Sequence, residues 1–214
     1  MQNITRSNYT SFFKRSATLL LGFNIALSQY VFAAESQGAA MQVPPAPSLA
    51  VKAYLLKDFN SHNVIASYNS QMRVEPASLT KIMTAYLTFK AIKMGHLQLT
   101  QTLPVSEIAW KVEGSKMFIE PNKPVTVDEL LHGLIVQSGN DASITLAEGI
   151  ASTEQRFADM MNTEAARLGM KNTHFMNATG LPDVQHYTTA EDLALLAAAL
   201  RTASPAMKTR LRAY

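Results

Sequence analysis

The order of the predicted secondary structure elements limits the possible folds of this chain more than any other feature of its sequence. Two short runs rich in β-branched and aromatic residues, 50–56 and 63–68, are separated by polar turn residues and predict a β-hairpin. After Pro76, apolar residues recur at helical spacing up to Gly95, a typical residue for a helix end. Every later periodic segment is helical, and no further strand is expected. The pattern therefore favours an α+β fold with a single N-terminal β-hairpin.

Capping sequences and helix breakers predict the four helices of the second half. Each begins at or near Ser, Thr, Asp or Asn residues, and the first carries a capping box, Thr126 to Glu129. Gly169 ends the third helix, and Pro205 confines the fourth. The predicted segments are 126–136, 141–150, 152–169 and 188–200.

The charge distribution argues against a nucleic acid partner. The 214 residues include 19 basic and 16 acidic residues. Residues 1–33 hold Arg6, Lys14 and Arg15 and no acid, so the remaining bases and acids are equal in number. Without net positive charge or a block of like charges, a phosphate-binding surface is not expected.

The residue types also limit the available chemistry. The sequence contains no Cys, which excludes disulfides, a cysteine nucleophile and Cys-ligated zinc. The histidines lack metal-ligand spacing such as His-Glu-x-x-His, so surface or packing roles are expected for them. We therefore expect no metal and no cofactor. The five histidines are His62, His96, His132, His174 and His186.

The first 33 residues have the three-part layout of a secretory signal. Basic residues precede an apolar stretch at 17–27, and small residues precede a cleavage site after Ala33. The apolar stretch is shorter than the ~20 residues that span a bilayer, and Asn24 interrupts it. The Ala- and Pro-rich segment 34–48 predicts a flexible leader. We expect an exported protein with one domain over 49–214.

Ser78 and Lys81 are the first candidate catalytic pair. They lie one helical turn apart at the start of the first predicted helix, so both side chains share a face. A desolvated amine can take the proton of a nearby Ser hydroxyl, and a helix N-terminus favours negative charge there. The bare Ser-x-x-Lys pattern is common by chance and recurs at Ser11 and Lys14. A capping Ser with a solvated Lys is the alternative.

Ser138 and Asn140 form a second candidate pair, in the break between two predicted helices. A loop Ser can relay a proton, and a loop Asn can hydrogen-bond a substrate amide. The Ser-x-Asn pattern recurs at 61–63 and 67–69, so helix-capping polar residues are the alternative when this pair is taken singly.

The two pairs together resemble a known family. Segment 75–81, Glu-Pro-Ala-Ser-Leu-Thr-Lys, and segment 136–142, Val-Gln-Ser-Gly-Asn-Asp-Ala, place their serines sixty residues apart. This arrangement resembles the low-molecular-mass penicillin-binding proteins, specifically the serine-type D-alanyl-D-alanine carboxypeptidases. The resemblance extends over about 48–212 through matching stretches at 115–121, 168–175 and 177–182.

The resemblance implies a β-lactamase/transpeptidase-like fold and an acyl-enzyme mechanism. Ser78 would be the acylated nucleophile, Lys81 its general base and the Ser78 N–H one oxyanion donor. Ser138 would help move the proton to the leaving D-alanine, and Asn140 would hold the peptide amide of the substrate. The implied partners are peptidoglycan stem peptides and β-lactam antibiotics. The implied location is the periplasm or the outer face of the cytoplasmic membrane.

The sequence departs from the family pattern after the second motif. The family's third motif, Lys-Thr-Gly or Lys-Ser-Gly, is absent. The family's later sheet strands and the C-terminal helix that many members use for membrane association are also not found. We therefore expect an incomplete fold and a C-terminally truncated chain with little or no activity, since the loss of one oxyanion donor costs about a hundredfold in rate.

Three alternatives remain beside the carboxypeptidase. A D,D-endopeptidase that cuts peptidoglycan cross-links would use the same motifs. A non-catalytic remnant that binds cell-wall peptides would fit the missing third motif. A class A β-lactamase fits less well, because the second motif here is Ser-Gly-Asn and no Glu-x-x-Leu-Asn follows at the expected distance.

Overall fold

The computed structural model describes residue 46 and residues 48–203. It contains the predicted hairpin followed by the predicted helices, in the predicted order. The predicted signal and nearly all of the predicted leader lie outside the described residues. The elements are β1 (Tyr54–Lys57), β2 (Val64–Tyr68), a 3₁₀ turn (Ala77–Thr80), α1 (Lys81–Lys93), β3 (Thr102–Leu103), α2 (Glu107–Lys111), β4 (Val125–Thr126), α3 (Val127–Val136), α4 (Asn140–Ala151), α5 (Glu154–Leu168) and α6 (Ala190–Ala203).

The predicted hairpin is confirmed. Strands β1 and β2 are antiparallel, with Tyr54 opposite Tyr68 and their rings 6.2 Å apart. The turn is closed by Asp58, whose Oδ1 accepts hydrogen bonds from the backbone N–H groups of Asn60 and Ser61. Such Asx turns are the reason that Asp and Asn mark tight turns in sequences.

The hairpin leaves large apolar side chains exposed. On strands β1 and β2, Leu56, Val64, Ile65 and Tyr68 are each more than half exposed. Because successive side chains of a strand point to opposite faces, Val64 and Ile65 leave apolar surface on both sides of the hairpin.

One prediction about the sheet is wrong. Strands β3 and β4 form a second antiparallel ladder, with Thr102 opposite Thr126 and Leu103 opposite Val125. Each strand has only two residues, so neither shows an alternating pattern long enough to indicate a strand. The ladder fixes the entry to α3, which directly follows β4.

The helix boundaries follow the predicted caps with small shifts. The capping box of α3 is present, with Thr126 and Glu129 bonded reciprocally. For α5 the cap is Thr153, because Ser152 adopts a φ of +68° and ends α4 instead. At the start of α6 the Asp192 N–H donates to Thr189 Oγ1, one residue later than the predicted Thr188.

Helix α4 lies at the centre of the described part of the chain. It contacts α1, α2, α3 and α5, and its first eight residues, 140–147, are all buried. One apolar cluster packs α1 and α4 against α3, and a second packs α1 and α4 against α5 and α6. The N-terminus of α4, with Asn140, is therefore held deep beside the N-terminus of α1. Between residues 48 and 203, no helix has the length and apolar character needed to cross a bilayer.

Candidate active site

Ser78 and Lys81 occupy the junction between the 3₁₀ turn and α1. Ser78 is exposed in the turn, whereas Lys81, the first residue of α1, is only 6% exposed. Lys81 Nζ lies 3.5 Å from Ser78 Oγ. The predicted spacing thus places a buried amine at the edge of hydrogen-bond reach of a solvent-facing hydroxyl. Such distances are often long in an unliganded site and shorten when substrate binds.

The Lys81 amine has two other partners, and both are uncharged oxygens. Nζ donates to Asn140 Oδ1 and to the Thr179 carbonyl, each at 2.8 Å. Burial lowers the pKa of Lys81 from 10.5 to about 8. A neutral amine has two N–H donors and one lone pair. With both donors used on these oxygens, the lone pair remains for the proton of Ser78.

Asn140 is held by the backbone on the side away from Lys81. Its Nδ2 donates to the Glu113 carbonyl at 2.6 Å, and its backbone N–H donates to the Ser115 carbonyl at 2.7 Å. These contacts fix the orientation of the amide, so that the oxygen faces Lys81. Gly114 allows the close approach, since a Cβ at that position would lie 2.7 Å from Asn140 Nδ2.

Ser138 lies in the short loop between α3 and α4, two residues before Asn140. It is half-buried and adopts a φ of +56°, a left-handed conformation that costs energy for a non-glycine residue. Its hydroxyl makes no hydrogen bond to another described residue. The structure therefore joins Ser78, Lys81 and Asn140 by direct contacts, whereas Ser138 is connected to them only through the loop.

The loop 177–181 completes the site, and its role was missed in the sequence. Asn177 Oδ1 accepts hydrogen bonds from the N–H groups of Thr179 and Gly180. Glu154 Oε1 accepts a hydrogen bond from the Ala178 N–H. These bonds hold the Thr179 carbonyl on Lys81. A backbone carbonyl has no sequence signature; the available signals were the Asn-x-Thr-Gly turn pattern and the family resemblance of 177–182, and neither indicated a contact with Lys81.

Gly180 lies directly against the turn that carries Ser78. It has a φ of +85°, and a Cβ there would lie 1.8 Å from the Ala77 carbonyl oxygen. Ala77 itself has a φ of +47°. Because no side chain fits between these backbones, the glycine is required by both its conformation and its surroundings.

An open groove of about 670 Å³ adjoins the site. Its lining includes Glu113 and Thr179, the two residues whose carbonyls hold Asn140 and Lys81. Apolar side chains, among them Ile108, Val112 and Leu181, form much of the remaining wall. In the described part of the chain, no three His, Asp or Glu residues are grouped as metal ligands would be.

An exposed hydroxyl beside a desolvated amine, with a side-chain amide bonded to that amine, is the arrangement of a serine hydrolase that uses Lys as its base. The peptidase S11 family model, described as D-alanyl-D-alanine carboxypeptidase, matches residues 39–211. The chain belongs to this D-alanyl-D-alanine carboxypeptidase family.

Relatives with known names agree with this assignment. The chain is 38% identical over 190 residues to D-alanyl-D-alanine carboxypeptidase DacC of Escherichia coli K12, covering 86% of this chain and 48% of that protein. It is 41% identical over 146 residues to DacF of Bacillus subtilis, covering 68% and 38%. The chain thus spans less than half the length of these relatives.

Solved structures show the same fold. The carboxypeptidase DacD of Francisella tularensis superposes with a TM-score of 0.74 at 40% identity, covering 82% of this chain and 44% of that one. Penicillin binding protein 5 of Haemophilus influenzae gives a TM-score of 0.74 at 36% identity, covering 77% and 49%. The described helices and hairpin therefore form part of the transpeptidase-like α+β fold expected from the sequence.

Proposed function

We propose that this chain carries the acylation half-site of a serine-type D-alanyl-D-alanine carboxypeptidase. The enzyme removes the terminal D-alanine from peptidoglycan stem peptides, and β-lactams acylate the same serine. The observation that carries this proposal is the buried Lys81 amine, bonded to Asn140 and Thr179 and 3.5 Å from the exposed Ser78 hydroxyl. The names of the relatives support the substrate class.

The acylation step starts with proton transfer from Ser78 Oγ to Lys81 Nζ. The oxygen then attacks the carbonyl of the penultimate D-alanine. The Ser78 backbone N–H lies at a helix N-terminus, where N–H groups lack intrahelical acceptors, and it stabilises the oxyanion. When the intermediate collapses, the C–N bond breaks, the D-alanine nitrogen takes a proton, and an ester on Ser78 remains.

The two residues of the second motif act on the substrate side. Asn140 Nδ2 has two hydrogens, and the described residues accept only one of them, at Glu113. The other is available to the peptide carbonyl of the substrate. We assign to Ser138, on the family resemblance, the transfer of the proton from Lys81 to the departing nitrogen; in the described residues its hydroxyl has no direct contact with Lys81. Water then attacks the ester with Lys81 as base and releases the shortened peptide.

We assign the proposed activity to the periplasm or the outer face of the cytoplasmic membrane. The substrate is outside the cytoplasm, and residues 1–33 have the layout of an export signal. Export is testable by N-terminal sequencing of the protein recovered from the periplasmic fraction, where the mature chain should begin at Ala34.

Acylation by benzylpenicillin is the sharpest test, because Ser78, Lys81 and Asn140 all lie within the described residues. Intact-mass analysis should show one penicilloyl adduct per chain, and peptide mapping should place it on Ser78. Because the sequence lacks the third motif with its oxyanion donor, we expect the adduct to form about a hundredfold more slowly than in a protein that has this donor. Ser78→Ala should remove the adduct, whereas Ser70→Ala, which changes a serine bonded to Glu191 outside the site, should retain it. An adduct that persists in Ser78→Ala would overturn the assignment of the nucleophile.

A peptide assay separates the carboxypeptidase from its alternatives. The chain is incubated with a stem pentapeptide ending in D-Ala-D-Ala and, separately, with a cross-linked muropeptide dimer. Release of D-alanine supports the carboxypeptidase, and conversion of the dimer to monomers supports the endopeptidase. Peptide binding without either product supports the non-catalytic alternative.

A further inference from the structure

A buried hydrogen bond lies directly beneath the turn that carries Ser78. Thr80 Oγ1 and His186 Nε2 are 2.9 Å apart, and the two residues are 0% and 3% exposed. Thr80 is the last residue of the turn, between Ser78 and Lys81 in the sequence. Neither Thr80 nor His186 contacts the reacting groups described above, so the proposed mechanism leaves this pair without a role.

The segment that carries His186 also holds the other end of the turn. Val74 and Thr188 exchange two backbone hydrogen bonds, both of 2.9 Å. The turn is therefore attached to segment 186–188 just before Ser78, through Val74, and just after it, through Thr80. A turn containing Ala77 at a φ of +47° needs such external support, because its own backbone disfavours the conformation.

The environment of His186 identifies the donor in this bond. Nδ1 is buried and has no partner among the described residues. A bare ring nitrogen tolerates this better than an N–H group, which is rarely left orphaned in an interior. The hydrogen is therefore assigned to Nε2, with Nε2–H donating to Thr80 Oγ1, although the distance alone fits either direction.

The surroundings of the His186 ring hold it in place and favour its uncharged form. The ring packs edge-on against Phe175, with centroids 5.8 Å apart and planes at 89°. Burial lowers the pKa of His186 more than the nearby charges of Asp183 and Glu75 raise it, and His174 lowers it further. A neutral ring with a fixed tautomer is a suitable anchor for a hydroxyl.

We propose that His186 is a positioning residue that acts through Thr80 to hold the Ser78 turn against the N-terminus of α1. Its hydrogen bond keeps Ser78 Oγ within reach of Lys81 Nζ. The structural part of this proposal stands on the contacts alone, and its consequence for acylation rests on the proposed function.

Hydrogen exchange tests the structural part without any substrate. Thr80→Val and His186→Phe each remove the bond at similar side-chain size, and His186→Gln restores a donor at a similar reach. In full-length protein studied by NMR, the amides of Leu79 and Lys81 should exchange about tenfold faster in the first two variants, the equivalent of one lost hydrogen bond. The Gln variant should recover most of the protection.

Thr88→Val is the matched control. Thr88 is a fully buried threonine within α1, and its hydroxyl donates to the Thr84 carbonyl away from the turn. This variant also loses a buried hydrogen bond, yet exchange at Leu79 and Lys81 should stay at the parent rate. Equal exchange in Thr80→Val, His186→Phe and the parent would overturn the proposal.

The rate of penicillin acylation tests the consequence. Thr80→Val and His186→Phe should acylate about tenfold more slowly than Thr88→Val, with His186→Gln in between. If the turn loosens but all variants acylate at the parent rate, the positioning role is wrong. If the parent itself is never acylated, the proposed function fails, and the exchange result alone decides whether His186 anchors the turn.

Discussion

Asn140 Oδ1 accepts a hydrogen bond of 2.8 Å from Lys81 Nζ across 59 positions of sequence. An amide oxygen accepts from an ammonium and from a neutral amine alike, and it adds no charge. The contact therefore fixes the amine without raising its pKa as a carboxylate would. This explains how Lys81 can be both tightly held and a base with a pKa of about 8.

Replacing that amide by a carboxylate should disable the base. In Asn140→Asp, a negative charge beside Lys81 raises the pKa of the amine, and the hydrogen bond to the Glu113 carbonyl is lost. We expect penicillin acylation at neutral pH to fall by about tenfold or more, with the pH profile displaced to higher pH. Mass spectrometry over a pH series measures both effects.

Asn162→Asp is the matched control for that change. Asn162 is also bonded through both amide atoms, to the backbone of Phe175, but it does not contact Lys81. Its substitution should lower stability and leave the pH profile in place. A profile that moves equally in both variants would contradict the explanation.

The acylation rate should depend on pH through Lys81 in the parent chain as well. Burial lowers the pKa of Lys81 to about 8, and only the neutral amine accepts a proton. Below that value the neutral fraction falls by about tenfold per pH unit, so the rate should rise with pH and level off above pH 8. A rate that is constant across this range would mean that Lys81 is not the base.

Gly180→Ala should disturb the Ser78 turn far more than the strain of an alanine at positive φ alone would. The new methyl group would lie 1.8 Å from the Ala77 carbonyl oxygen, so the turn must move. Gly169→Ala is the control, because Gly169 has a similar φ of +82° with open space around it. We expect acylation to be lost in the first variant. The second should lose only about 1 kcal/mol of stability, measured by urea unfolding.

The ion-pair cluster between α1 and α5 should make the fold sensitive to acid. Burial of Glu164 raises its pKa, but hydrogen bonds from Arg167, Lys90 and Tyr86 outweigh this and lower it from 4.5 to about 2. The resulting stabilisation is complete above the unfolded value and is lost as the pH falls from 4.5 towards 2.

Glu164→Gln should abolish this loss of stability at acid pH. Unfolding free energies measured over this pH interval should fall by on the order of 2 kcal/mol more in the parent than in the variant, after allowance for the exposure of Arg167 and Lys90. Glu120→Gln, which removes an exposed pair with Lys123, should behave like the parent.

The elements predicted from the sequence are those that repeat a local signal. The hairpin, α1 and α3 to α6 carry periodicity or caps, and Thr126 with Glu129 marks the start of α3 without ambiguity, whereas the five-residue α2 was not predicted. Strands β3 and β4 were missed because their pairing is a tertiary event between two-residue segments. In the same way, Lys81 and Asn140 could be chosen as candidates from their residue types and motifs. The hydrogen bond from Lys81 to the Thr179 carbonyl could not be predicted, because every residue has a backbone carbonyl.

His186 shows a further limit of sequence reasoning. Its spacing from the other histidines excluded a metal site and suggested a surface or packing role, but nothing in the sequence indicated Thr80 as its partner. The two lie 106 positions apart. A contact between residues so far apart in sequence depends on how the start of α1 packs against the segment before α6. This packing is set by the buried core and not by a local sequence pattern.

The Lys81 amine also reports on the completion of folding. Its two oxygen partners lie 59 and 98 positions further along the chain, so it is shielded only after three distant segments have met. Contacts of such long range form late, because closing large loops is entropically expensive. In a refolding experiment, a small amine-reactive reagent should therefore label this lysine until late in folding, whereas exposed lysines such as Lys57 and Lys123 stay reactive throughout. Protection of Lys81 thus reports when these three segments have come together.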